Sequence, residues 1–127
     1  MHELIERDFD AFFEVPFRIY PESSPYVSPM QSDLRRFLSA KNPLFREPDS
    51  FTFFTVNRDG APVGRIVAHV HRESNRRYGT RRSSFGYFDC ADDPEAATML
   101  LDAAERWGRT HVLRIHGARA RGVRTVT

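Results

Sequence analysis

The sequence predicts an α/β chain of the α+β kind, with a mixed, mainly antiparallel sheet flanked by helices. Two runs, FTFFTVN (51–57) and PVGRIVAHVH (62–71), are dense in aromatic and β-branched residues, and Arg58-Asp59-Gly60-Ala61 between them supplies the positive φ of a tight hairpin. Both runs are apolar on both faces: Phe51 and Phe53 against Phe54 and Val56, then Val63 and Val67 against Ile66, Ala68 and Val70. A strand of that kind is covered on both sides, so helices are expected above and below the sheet. Asp92-Asp93-Pro94-Glu95 is the third observation: an aspartate cap, proline at the first helical position and acid beside the positive end of a helix.

The remaining elements follow in order. Phe9, Phe12, Phe13, Phe17 and Tyr20 recur at three- and four-residue steps, which predicts a helix from Asp8 to Tyr20 with one buried face. Asp8 caps it, and Pro16, which has no N–H, is expected to end or kink it. PESSPYVSP (21–29) reads as a proline-stiffened loop, and Leu34, Phe37 and Leu38 mark a short helix from about Ser32 to Ala40, closed by Asn42-Pro43. The connector 72–83 is read as a basic loop and SFGYFD (84–89) as a strand beside 62–71. The helix that starts at Pro94 should run to about Trp107, burying Ala97, Leu100, Leu101, Ala104 and Trp107, with Gly108 as its stop. VLRIH (112–116) is expected to be a last strand, parallel to 84–89, with an unpaired edge that invites a second copy of the chain. Residues 1–117 then form one domain and 118–127 a disordered basic tail.

The chain has 127 residues, 40% hydrophobic and 28% charged, values that fit a single globular domain and argue against a disordered chain. No stretch approaches the ~20 apolar residues of a membrane span. The acidic start MHELIERDFD does not resemble a targeting peptide, and the single cysteine, Cys90, forms no internal disulfide. A cytoplasmic location is expected. The net charge of +2 hides an asymmetry, because all acids precede Arg106 whereas the segment from Arg106 onward carries six arginines. Every basic residue except Lys41 is Arg, a bias that GC-rich coding produces by itself, so arginine content is a poor argument for nucleic acid.

Several side chains are candidates for chemistry. His69 and His71 share one face of a strand, but no nearby Cys, Asp or Glu offers a third ligand, so no metal site is expected. Cys90 precedes a helix start, yet Asp89, Asp92 and Asp93 oppose a thiolate there, and it is read as a small packing residue. Arg72, Arg76, Arg77, Arg81 and Arg82, interleaved with Tyr78, are candidate phosphate or nucleic-acid contacts. Glu73 and Asp89 are the candidate general bases, and the spacing selects neither.

Certain words of the sequence carry a family likeness. Phe12-Phe13-x-x-Pro16-x-x-x-Tyr20, Lys41-Asn42-Pro43-Leu44-Phe45, Arg58-Asp59-Gly60-x-Pro62-Val63-Gly64-Arg65-Ile66-x-Ala68, Phe85-Gly86-Tyr87-Phe88-Asp89 and Ala103-Ala104-Glu105-x-Trp107, in that order, resemble one bacterial branch of the GCN5-related N-acetyltransferases (GNAT), the acyl-CoA N-acyltransferase superfamily. The resemblance covers about residues 5–117. It implies an acyl-CoA N-acyltransferase-like fold lacking the C-terminal strands, hence a truncated member, and an ancestral transfer of acetyl from acetyl-CoA to an amine. It places 84–89 as the family's strand 4, with Tyr87, Phe88, Asp89, Cys90 and Ala91 along the coenzyme A arm. In the family the following loop reads Gln/Arg-x-x-Gly-x-Gly/Ala and cradles the pyrophosphate on backbone N–H groups. Here the loop is Asp89-Cys90-Ala91-Asp92-Asp93-Pro94: it has no glycine, Pro94 removes a donor, and three aspartates are expected to repel the phosphates. The family implies acetyl-CoA, while the residues of this loop imply a chain without turnover. The alternative is a noncatalytic binding module that uses the sheet edge or the basic 72–82 loop.

Overall fold

The computed structural model describes residues 1–26, 28–39, 50–79, 82–116 and 124–126. Its elements are β1 (His2–Glu6), α1 (Phe9–Ile19), α2 (Gln31–Phe37), β2 (Phe51–Arg58), β3 (Ala61–His69), α3 (Arg72–Tyr78), β4 (Arg82–Cys90), α4 (Pro94–His116) and β5 (Arg124–Val126). The sheet order is β1-β2-β3-β4-β5. β1 to β4 are antiparallel neighbours, and β5 runs parallel to β4. One face is covered by α1 and α2, where Phe12, Leu34 and Leu38 meet Phe51, Phe53 and Val67. The other is covered by α4, where Ala96, Leu100, Ala103 and Ala104 meet Phe54, Val56, Val63, Ile66 and Ala68. The two-faced apolar strands thus have the two helical covers they require. Among the described residues no helix is long and apolar enough to cross a membrane.

The hairpin forms where the Asp-Gly pair puts it. Asp59 (φ 51°) and Gly60 (φ 85°) both take positive φ between the paired Arg58 and Ala61. A bulge then changes the predicted faces: Val56 pairs with Gly64 but Asn57 pairs with Pro62, so Val63 is an extra residue. Val63 therefore joins Ile66 and Ala68 under α4 rather than Val67 under α1.

Other expectations are corrected. His2–Glu6 is a strand that the charged HELIE pattern does not announce; its ladder to β2 forms it. The connector after β3 contains α3, ended by Gly79 in left-handed conformation at φ 63°. Pro16 lies inside α1, which continues to Ile19. Gly108 does not stop α4: a Cβ there would lie 2.1 Å from Ser83 Oγ, so this glycine lets the helix lie against β4. Beyond it, the Glu105–Arg109 ion pair at 2.6 Å and the stacked Trp107 and His111 rings at 4.2 Å, both four residues apart, carry the helix forward. Extending a formed helix is easier than nucleating a new element, and 112–116 belongs to α4. The strand edge expected at 112–116 is therefore absent, and the strand parallel to β4 is Arg124–Val126, within the segment expected to be a disordered tail. Asn42-Pro43 lies outside the described residues.

The buried stripe of α4 is also rotated from the predicted one. Ala96, Leu100, Ala103 and Ala104 are buried, whereas Leu101 is 38% exposed. Leu100→Ala should therefore cost about 2–5 kcal/mol in urea denaturation, and Leu101→Ala less than about 1 kcal/mol. Equal losses at the two positions would place the helix in a different rotation.

Candidate functional site

Arg65 is the largest fully buried side chain of the described residues, with 1% of its surface exposed in the middle of β3. A buried guanidinium needs partners for all its donors. Its Nε and Nη2 each lie 2.9 Å from Asp89 Oδ2, at the end of the adjacent strand. Its Nη1 donates to the Phe12 carbonyl at 3.1 Å and its Nη2 to the Tyr26 hydroxyl at 3.3 Å. The Phe12 carbonyl is available because the residue four positions on is Pro16, which has no N–H to offer it. The guanidinium also lies over the rings of Phe12, at 4.6 Å, and Tyr87, at 5.5 Å.

Tyr87 is where β4 bulges. Arg65 pairs with Asp89 and Val67 with Gly86, which leaves one extra residue on β4, and Tyr87 has φ 49°. The bulge sets the Tyr87 ring between Phe12 (6.2 Å) and Phe37 (5.6 Å). Tyr20 completes the network, donating its hydroxyl to Asp89 Oδ1 at 2.6 Å and stacking on Tyr26 at 5.4 Å. That bond to a carboxylate, helped by burial, pushes the Tyr20 phenol up to about 12. Both Asp89 oxygens thus receive donors, and the carboxylate is a structural ion-pair partner rather than a free base. The other candidate base, Glu73, has its side chain outside the described residues.

The turn from β4 into α4 satisfies itself. The Ala91 N–H donates to the Val63 carbonyl, that of Asp93 to the Ala91 carbonyl and that of Ala97 to the Asp93 carbonyl. Asp93 caps α4 as predicted, its Oδ1 accepting from the Ala96 N–H at 3.1 Å. Pro94 has no N–H. Asp93 Oδ2 meets both Arg58 Nη1 and His2 Nε2 at 2.8 Å, and His2 Nδ1 lies 2.9 Å from Glu95 Oε2. The His2 hydrogen bond first, and the Ala96 N–H next, pull the Asp93 carboxyl down to about 2. The expected repulsion from three aspartates is reduced accordingly, since Asp89 and Asp93 are both ion-paired and only Asp92 is exposed without such a pair. What the turn lacks is donors: of the residues from Ala91 to Ala97, only Asp92 and Glu95 have an N–H not engaged within the chain. These residues do not fit the diphosphate of coenzyme A.

The other predicted residues fall into place around this frame. Tyr87 and Phe88 are each 38% exposed on the outer part of β4, and Cys90 and Ala91 pack against the α4 core. Burial first, then Asp93, pushes the Cys90 thiol up, the opposite of an activated thiolate. Arg82 opens β4, eight residues from Cys90 at about 3.3 Å each, and Arg76 and Arg77 lie on α3, which precedes that end. They cannot share one compact site with the turn. The Asn75 side chain holds that end together, donating to the Arg82 carbonyl at 2.9 Å and accepting from its N–H at 3.3 Å. Arg81 and the side chain of Arg72 lie outside the described residues. Burial and the neighbouring His71 lower the His69 pKa, and no cluster of three metal-ligating side chains occurs among the described residues.

The keystone role of Arg65 was not visible as such in the sequence, although an arginine inside an otherwise apolar strand is the available signal. Asp89→Ala should cost about 3–5 kcal/mol in urea denaturation, because it strands a buried guanidinium. An unchanged midpoint would show that the pair is replaceable by water. Because the native phenol of Tyr20 is held neutral, its stabilising effect is fully present below the ordinary tyrosine value of 10 and is lost as pH rises towards about 12. Ultraviolet titration should find one late phenol, which Asp89→Asn moves back towards 10.

No family model matches the chain. Protein YghO of Escherichia coli K12 is 33% identical over 104 residues, covering 82% of this chain and 26% of that protein. The chain thus spans about a quarter of the length of that relative. Among solved structures, an aminoglycoside acetyltransferase from an uncultured soil metagenomic sample, in complex with sisomicin, superposes with TM-score 0.61 at 12% identity, over 99% of this chain and 75% of that one. AAC(6')-Iy in complex with a CoA bisubstrate analog gives 0.58 at 12% identity, over 100% and 78%. A GNAT-family acetyltransferase of Staphylococcus aureus Mu50 gives 0.57 at 16% identity, over 87% and 68%. At these identities the likeness is one of fold, and the fold of this chain is that of the GNAT, or acyl-CoA N-acyltransferase, proteins.

Proposed function

We propose that this chain is an acyl-CoA N-acyltransferase-like domain that keeps the scaffold of acetyl transfer to an amine but does not turn over acetyl-CoA by itself. The observation that carries this reading is the self-satisfied turn between β4 and α4, where Pro94 and four engaged amides leave few donors for a diphosphate. Asp92 adds an exposed negative charge at the same turn. The Asp89 carboxylate, saturated by Arg65 and Tyr20, is poorly placed to deprotonate an amine.

A second reading is favoured by the outer edge of β4. β5 pairs only with Arg82, Ser83 and Ser84, so among the described residues the stretch from Phe85 to Cys90 has no strand on that side. In the family this edge takes the pantetheine arm; here the same backbone groups suit an extended ligand or peptide that adds to the sheet. The basic segment 72–82 remains a candidate surface for such a partner.

Isothermal titration with acetyl-CoA at low salt separates enzyme from scaffold. Binding no tighter than about millimolar, or about −4 kcal/mol, with no acetyl transfer to added amines, is expected. A micromolar dissociation constant, or transfer above background, would overturn the reading.

A further inference from the structure

On the face of the sheet opposite Arg65, a groove runs between β1 and the second half of α4. β1 is an edge strand paired with β2 alone, and α4 lies mainly over β2, β3 and β4, so the helix roofs the outer strand only in part. Leu4 is 37% exposed as a result. On the helix, Ala103, Arg106, Trp107 and Thr110 follow one another at the spacing of a single side of α4. That side, with Leu4 and Phe54 of the sheet, encloses about 250 Å³. The floor is apolar: Phe54 and Ala103 are buried there, and Ala103 is short where a larger side chain would fill the space. One wall is the half-buried Trp107 indole. The His111 ring stacks on it at 4.2 Å and is itself held by its Nδ1–H, which donates to the Trp107 carbonyl at 2.8 Å.

Arg106 supplies the charge of this groove. Its neighbour Glu105 pairs with Arg109 at 2.6 Å, and among the described residues no carboxylate engages the Arg106 guanidinium, not even Asp102 one turn before it. Glu6, the acid on the same face of β1 as Leu4, is held by the Thr52 hydroxyl. An unpaired surface cation is ordinary, but one at the rim of an apolar groove with an aromatic wall has the two parts that an amphipathic anion needs. A cavity of about 150 Å³ accepts a benzene ring. The 250 Å³ here therefore holds one ring and a short polar arm. One guanidinium balances one negative charge, whereas a phosphate dianion would keep an unmatched charge beside the apolar floor. We propose that the groove binds a small carboxylic acid with a ring-sized apolar body, the body lying on Leu4, Phe54 and Ala103 against the Trp107 indole and the carboxylate pairing with Arg106. The groove shares no residue with the β4–α4 turn or the open edge of β4, so binding here is independent of whether the chain takes acetyl-CoA.

Trp107 is the single tryptophan of the chain, so its fluorescence reports on the groove directly. Phenylacetate, a ligand of about ten non-hydrogen atoms, should change the emission of the intact chain saturably, with a dissociation constant below about 10 mM. Phenylacetamide, of the same shape without the charge, should bind about fivefold more weakly. Arg106 is exposed, so Arg106→Gln leaves the fold intact; it should weaken the acid to the level of the amide and leave the amide unchanged. Amide resonances of β1 and of α4 from Ala103 to Thr110 should shift with the acid, and those of β4 should not. No saturable change below about 10 mM, acid and amide affinities within about twofold of each other, acid binding undiminished in Arg106→Gln, or shifts confined to other elements would overturn the assignment.

Discussion

The structure depends on one buried cation. Arg65 is buried in the middle of the sheet, and three segments answer its donors: α1 through the Phe12 carbonyl, the loop after α1 through Tyr26, and β4 through Asp89. A proline within a helix is ordinarily a defect of about 3 kcal/mol. Here Pro16 leaves an acceptor without a helical donor at the place where a guanidinium has a donor without an acceptor. Neither residue would be tolerated as well without the other. Such a network is a weak source of net stability, because desolvating the charges offsets much of their attraction. Its effect is on geometry: it fixes the rotation of α1 over the sheet and the position of the β4 bulge.

The two ends of the β4–α4 junction are finished by ion clusters of similar design. Asp89 closes one on the α1 side of the sheet, and Asp93 closes the other at the helix start. Between them the Ala91 N–H is engaged by the Val63 carbonyl, and the Asp92 N–H is left. An acyltransferase fold that leaves this junction open can receive a diphosphate, and one that closes it with its own carboxylate has the same helix dipole satisfied internally. The likeness of overall fold to acetyltransferases and the departure at the turn are therefore compatible, since fold is set by the sheet and function by the junction.

Local signals in the sequence are legible where local physics decides. The Asp59-Gly60 turn and the Asp93-Pro94 cap need only their own residues, and both form as written. Elements that depend on distant neighbours are not legible in this way. HELIE becomes a strand because β2 offers a ladder, and Gly108 looks like a helix stop only until Ser83 is seen beneath it. In α4 Leu100 and Ala104 are buried as the periodicity predicts, but the close approach of helix and sheet puts Ala96 and Ala103 in the core and leaves Leu101 exposed. At the site, the sequence offers Asp89 as a possible base but does not distinguish its partner Arg65 among eighteen arginines that composition alone explains. Only the register between β3 and β4 reveals that the two are opposite each other.

The glycines at 64 and 108 form a matched pair. At Gly64 an added Cβ would lie 2.7 Å from Leu100 Cδ1, so a strand is bare where the helix brings a large side chain. At Gly108 the roles are exchanged, and the helix is bare where β4 brings Ser83. The two contact points lie eight residues apart along α4, about 12 Å of helix axis. A rod seated at two such points can neither roll nor tilt freely, and a side chain added at one of them would act as a fulcrum that lifts the other. Drift in this part of the sequence is therefore constrained in pairs: the junction at the start of α4 can change its chemistry, but the seating of the rod behind it cannot change one residue at a time.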